Sequence, residues 1–271
     1  VNPTPNVVVH TRDLTRSFGK KPVLNGIDLN FGPGIHGLLG RNGVGKSTLL
    51  SIIGGQLKPS GGQVEVFGET PFDNARAMDR TALTGVDTSY PTWSVANVFK
   101  GAALRYPHWD QTIADTLIAD FSLDGALSTP YGGLSRGQRA MVAIIVGLAS
   151  GTELLLLDEP YVGLDLHNTD VFYRHLLEQA DSGRTIIMAT HHIEDAAKVL
   201  DTAAILGRDG RVAAHVSADD ADEYVLVASA SEGATLSRNL MTQADAKDLG
   251  QSARVTAAGF DDLIEHYLEV S

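Results

Sequence analysis

The chain of 271 residues contains no cysteine, which excludes disulfides, thiolate nucleophiles and cysteine-ligated zinc. No run of apolar residues approaches the roughly 18 that a membrane-crossing helix requires. The opening stretch VNPTPNVVVHTRD lacks the basic segment and apolar segment of a secretory signal, so none is expected there. A cytoplasmic setting fits the absence of cysteine. Positive charge is also in short supply: Lys plus Arg is 21 against 33 for Asp plus Glu, a formal net charge of −12. Such a surface repels nucleic acid and anionic lipid at long range, so no nucleic-acid partner is expected. Internal repeats, low-complexity tracts and heptad runs are missing too, which argues against solenoids and long coiled coils. What remains is ordinary globular composition, 43% hydrophobic and 20% charged, enough for one large domain or a large domain with a small appendage.

Periodicity predicts strands over residues 6–31, in NVVVHTRDL and VLNGIDLNF around a polar turn. The short apolar run GIHGLLG leads into a glycine-rich loop, and STLLSIIGGQL then places Leu49, Leu50, Ile53 and Leu57 on one helical face. QVEVFG reads as another strand, and residues 72–130 read as mostly helical. A nearly all-apolar helix, AMVAIIVGLA, precedes ELLLLDEP, whose four leucines mark a strand buried on both faces of a parallel sheet. RTIIMATHH is a second such strand. AAILGRDGRVAAHV predicts a hairpin with a type I′ turn at Asp209-Gly210. From about residue 217 the texture becomes acidic and alanine-rich, with EYVLVAS strand-like and FDDLIEHYLEV helix-like, so a boundary is expected there.

Residues 40–48, GRNGVGKST, satisfy G-x-x-x-x-G-K-[ST] through Gly40, Gly45, Lys46 and Ser47. Glycines let successive N–H groups turn towards a phosphate with no Cβ in the way, and the helix that follows adds unpaired donors and a positive dipole end. Asn42, Gly43, Gly45, Lys46, Ser47 and Thr48 therefore form the candidate phosphate cradle, with Lys46 for the β- and γ-phosphates and Ser47 for Mg²⁺. A plain glycine-rich turn before a helix is the blander reading, and the strand and helix flanking the motif favour the cradle. Asp158, ending the leucine strand, is positioned to hold Mg²⁺ through water, and Glu159 to polarise an attacking water. Asp-Glu-Pro alone would also suit a helix start; paired with the glycine loop, the functional reading prevails.

LSRGQ, residues 134–138, then precedes a helix ahead of Asp158. With this motif the chain resembles the nucleotide-binding subunit of ABC transporters over roughly residues 7–215. LSRGQ is similar to that family's LSGGQ signature, with Arg136 in the variable third position. The resemblance implies an α/β fold: a P-loop NTPase core with a mostly parallel sheet, an N-terminal antiparallel β subdomain, a helical subdomain at about 89–150, and a small α+β extension at 217–271 beyond the 1–216 cassette. It further implies ATP and Mg²⁺ as ligands, and a head-to-tail dimer, homomeric or heteromeric, in which Ser135, Gly137 and Gln138 complete the partner's site. Asp165, in GLD, resembles the loop along that interface, and His191 the family's switch histidine at the γ-phosphate. His191, His192, Glu194 and Asp195 also offer metal-ligand types, but neighbouring histidines at a strand end point different ways and no HExxH spacing occurs. Phe18 matches the aromatic that stacks on adenine, although hairpin packing would equally use a phenylalanine.

The resemblance breaks in one place. The family's glutamine between core and helical subdomain is missing from ALTGVDTSYPTWSV; Asp87, with Thr88 second, takes its position as a candidate Mg²⁺ or water ligand. The expected function is an ATP-hydrolysing subunit at the inner face of the cell membrane, bound to separate integral-membrane subunits. Export is favoured because YPTWSV and the C-terminal extension resemble exporter ATPases. The alternatives are a soluble ABC-type ATPase acting on nucleic acid or ribosomes, a small-substrate P-loop kinase, and a weakly hydrolysing nucleotide-binding regulator.

Overall fold

A computed structural model describes residues 7–230, 236–243 and 254–270. Its centre is a six-stranded sheet in the order β5-β6-β7-β3-β8-β9. Strands β5 (Thr81–Gly85), β6 (Leu154–Asp158), β7 (Thr185–Thr190), β3 (Gly34–Leu39) and β8 (Thr202–Leu206) run parallel. β9 (Val212–Ser217) closes one edge antiparallel to β8. The leucine run does what its pattern predicts. Leu155 and Leu157 of β6 enter one apolar core, and Leu154 and Leu156 enter the other, on the opposite face.

One core lies under a second, antiparallel sheet of order β2-β1-β4, made from β1 (Val9–Phe18), β2 (Lys21–Phe31) and β4 (Gly61–Val66). Helix α1 (Lys46–Ile53) is buried there through Leu49, Leu50, Ile52 and Ile53. The opposite core is covered by α3 (Val95–Arg105), α4 (Gln111–Asp120), α5 (Arg136–Ala149) and α6 (Leu166–Ala180). Short helices α2 (Ala75–Asp79) and α7 (Ile193–Ala196) flank the sheet. Beyond β9, β10 (Tyr224–Ala230) pairs antiparallel with β11 (Leu236–Thr242) and β12 (Arg254–Ala257). The last helix, α8 (Phe260–Val270), buries Leu263 and Ile264 in the same core as Ala203 and Val216.

Two expectations are corrected. The stretch 72–130, expected to be mostly helical, also contains β5, the edge strand beside β6. Five residues with two threonines carry too little periodicity to announce a strand; the pairing partner decides. The β8–β9 hairpin is present, but at its tip only Gly210 has positive φ, at 76°, whereas a type I′ turn needs two such residues. The loop is longer, with Gly207 N–H donating to Arg211 O. Of the described helices, none is long and apolar enough to cross a membrane.

Candidate active site

The parallel strands deliver their C-terminal ends to one edge of the sheet, where open α/β sheets bind ligands. β3 leads there to the glycine loop, β6 ends on Asp158, β7 leads to His191, and β5 leads to Asp87. The loop closes onto α1 with Gly45 at φ 114°, and a Cβ at that position would lie 2.8 Å from Leu24 Cδ2. Helices α2 to α6 each begin on a side chain that accepts a backbone N–H: Asn74, Ser94, Asp110, Ser135 and Asp165. α1 begins on Gly45 with no side-chain cap. Its first-turn donors, at Lys46, Ser47 and Thr48, are therefore left for something outside the helix.

Lys46 is buried, 6% exposed, and donates to Gly40 O at 2.8 Å and Arg41 O at 3.3 Å. Its ammonium also lies 3.6 Å from Glu159 Oε1. Burial holds its pKa below the ordinary lysine value, and Glu159 and Asp158 offset part of that. Glu159 sits at φ 48°, an uncommon left-handed conformation for a glutamate, with its N–H bonded to Ala189 O at 2.9 Å. His191 Nδ1 donates to both Glu159 carboxylate oxygens at 2.9 Å. Lysine, glutamate and histidine thus form one chain across the strand ends. Val23, Asn42, Gly43, Gly45, Ser47 and Thr48 line a cavity of about 290 Å³ beside Lys46 and Glu159.

A second cavity, about 410 Å³, joins Ser47 to Asp158, Asp87 and Thr88. Asp158 Oδ1 is buried without a hydrogen-bond partner. Burial pushes the Asp158 carboxyl above the usual carboxylate range; the Ser47 hydroxyl draws it back and the charges of Glu159 and Asp87 push it further. An orphaned carboxylate oxygen, a hydroxyl and a second carboxylate around one cavity are hard oxygen donors that fit Mg²⁺.

The remaining candidates stand elsewhere. Ser135 and Gln138 form a reciprocal capping box: Gln138 N–H donates to Ser135 Oγ at 3.2 Å, and Ser135 N–H to Gln138 Oε1 at 3.0 Å. A Cβ on Gly137 would collide with the Gly163 carbonyl oxygen, so the start of α5 lies flat against the GLD loop. Asp165 caps α6, accepting from Asn168 N–H at 2.9 Å. None of these lines either cavity beside Lys46. Phe18 is 49% exposed on the β1–β2 hairpin, with the Arg16 guanidinium 4.6 Å from its ring centroid. It too is outside the cavities.

Sequence reasoning missed Gln56, Ser51 and Thr84, which line the cavity with Asp87. It also missed Tyr161, whose hydroxyl bonds Thr190 Oγ1 and His192 O and so ties the turn after Glu159 to the histidine loop. The tyrosine two places after the glutamate was visible, but its partner lies on another strand.

The ABC transporter family matches this chain over residues 24–162, a span that runs from the β2 strand through the glycine loop and LSRGQ to the turn after Glu159. The chain belongs to the ABC transporter family. As a family member it is 29% identical over 234 residues to the ribose import ATP-binding protein RbsA of Corynebacterium glutamicum, covering 82% of this chain and 44% of that protein. It is 27% identical over 217 residues to the Nod factor export ATP-binding protein I of Rhizobium meliloti, covering 77% and 64%. It thus spans about half the length of the ribose import protein. In fold it is similar to the dimeric structure of a bacterial ABC transporter cassette, at TM-score 0.67 and 23% identity over 77% of this chain and 98% of that one.

Proposed function

We propose that this ABC transporter chain is the subunit that binds and hydrolyses ATP to drive a membrane transporter. The observation that carries the reading is Glu159, held between Lys46 and His191 beside a helix start with no cap of its own. The triphosphate supplies the cap: the N–H groups of residues 43–48 receive its oxygens, and Lys46 exchanges the Gly40 and Arg41 carbonyls for them. That exchange frees Glu159 from the ammonium. The carboxylate then takes a proton from water as the water oxygen attacks the γ-phosphorus and the bond to the ADP oxygen breaks. His191 keeps the carboxylate oriented through both its oxygens. Mg²⁺, bound by Ser47 and Asp158 with Asp87 alongside, would neutralise phosphate charge. The exposed face of the Phe18 ring is assigned to adenine stacking.

Ser135 and Gly137 begin α5 away from the chain's own phosphate loop, so they act on a second copy in a head-to-tail dimer, as Asp165 does along the interface. A cassette of the same fold has a dimeric structure, which supports the pairing of two copies here. The partners that move are integral-membrane subunits at the inner face of the cell membrane, and exposed Trp93 and Phe72 offer them an apolar contact. Cassette and C-terminal extension divide at about residue 217, where β9 ends. Export is proposed on the resemblance of YPTWSV and the extension; the curated relatives include an import and an export protein. The test is ATP turnover by the purified chain, followed by capture from solubilised membranes of its host. Turnover abolished by Lys46→Ala, with a polytopic partner recovered, supports the reading. Wild-type protein that turns over no ATP, or that brings down ribosomes or DNA instead, overturns it.

A further inference from the structure

Helix α8 closes one side of a third cavity, about 490 Å³, whose other side is the phosphate loop and the strand end at β7. Arg41, Asn42 and His191 line one wall; Glu265, Leu268 and Glu269 line the other. Leu263 and Ile264 fix the helix in the core, so these acidic residues are held in place. Glu265 and Glu269 are spaced i, i+4 and share a helix face. Both are exposed, and neither has an ion-pair partner among the described residues, Arg41 included. Burial, and then the charges of Glu194, Asp261, Asp262 and Glu269, hold the Glu265 carboxyl above its ordinary pKa. Arg41, on the facing wall, is the cavity's arginine, but it makes no ion pair with either glutamate among the described residues.

Arg136 is the opposite anomaly. It occupies the first position of α5, where the helix dipole disfavours a cation. It is exposed and likewise makes no ion pair among the described residues. It extends along Gly163, in the GLD loop assigned to the dimer interface. A cation and an acid pair that make no ion pair within the described chain therefore stand on the two surfaces that a head-to-tail pair would bring together. We propose that the cavity between α8 and the phosphate loop receives the signature segment of a second copy of this chain, with Arg136 of that copy paired to Glu265 and Glu269. The proposal rests on the head-to-tail reading and names the contact that selects an identical partner. The carboxylates of α8 then hold the incoming helix start over the phosphate loop. Twofold symmetry makes the contact twice in each dimer.

The experiment measures dimer affinity by sedimentation in Mg²⁺-ATP, in a Glu159→Gln background that retains the nucleotide. Arg136→Glu alone, and Glu265→Lys with Glu269→Lys, should each weaken the dimer about tenfold or more, and combining the three should restore most of it. If the parent dimerises and the charge reversals leave its affinity unchanged, or the combined variant shows no recovery, the α8 contact is overturned while the dimer stands. If the parent remains monomeric with ATP, the head-to-tail reading falls and takes the contact with it. A second measurement uses the absence of native cysteine. Arg136→Cys with Glu269→Cys should give an intermolecular product with a short bis-maleimide only when ATP is present. An intramolecular product, or none under conditions where the parent is dimeric, overturns the proposal.

Discussion

Glu159 does two jobs that chemistry separates. Its carboxylate is the base proposed for water, and in the structure it also balances a buried lysine. Glu159→Gln keeps the shape and the hydrogen bond to His191 but removes the base. Steady-state turnover should fall about 10²- to 10³-fold while ATP remains bound, read by filter retention of labelled nucleotide; full turnover would place the base elsewhere. His36 offers a test that has nothing to do with the site. It is buried, with its ring nitrogens bonded to Thr202 Oγ1 at 2.9 Å and Gly32 O at 2.8 Å. Burial, partly offset by the Gly32 carbonyl, holds its pKa below the ordinary value, and His215 is lowered by burial as well. The unfolded imidazole takes a proton near pH 6.5, the folded one only at lower pH, so stability is lost as pH falls from about 7 towards the folded pKa. His36→Gln should flatten that loss in urea titrations at about pH 7.5, 6 and 5; an unchanged slope would assign it to other groups.

At the scale of elements, α5 carries the signature at its first turn and is fastened at its last. Arg184, 6% exposed, donates to Gly147 O at 2.9 Å and Leu148 O at 3.1 Å, and also to Ser150 Oγ at 2.8 Å. Among the described residues no carboxylate pairs with it; burial lowers its pKa to about 10, and helix carbonyls hold the charge. Arg184→Met should cost about 3 kcal/mol in denaturant unfolding by orphaning these acceptors, with little change in nucleotide affinity. Among these elements, legibility follows how local each signal is. GRNGVGKST and LLLLDEP could be read directly because spacing and run length are properties of contiguous sequence. β5 could not, because only its register with β6 makes TALTG a strand. Gly137 was legible only as part of the signature, through the family resemblance. That it also makes room for the Gly163 carbonyl was not, since the two loops are far apart along the chain.

For the whole molecule, composition changes at residue 217 but packing continues. Leu263 and Ile264 are fully buried against β8 and β9, alongside Leu200, Ala203 and Val216. Leu263→Ala or Ile264→Ala should each cost about 2–5 kcal/mol in unfolding free energy, as in any close-packed core. Chains ending after Ser217 should melt lower than the full chain by scanning calorimetry. A melting point equal to the full chain's would mean that α8 only rests on the surface. The acidic, alanine-rich texture of residues 217–271 hides two core residues in one turn of an amphipathic helix. Its place beside the phosphate loop is a tertiary fact that no local pattern encodes.

The bare start of α1 also turns the protein into its own occupancy gauge. A helix whose N-terminal donors wait for an outside acceptor gives up about 0.5–2 kcal/mol of local order until that acceptor arrives. Hydrogen–deuterium exchange at the amides of Lys46, Ser47 and Thr48 should therefore slow sharply with ATP, while the side-chain-capped starts of α3 and α4 keep their rates. That contrast reads ligand loading in one molecule, without a label and without waiting for turnover.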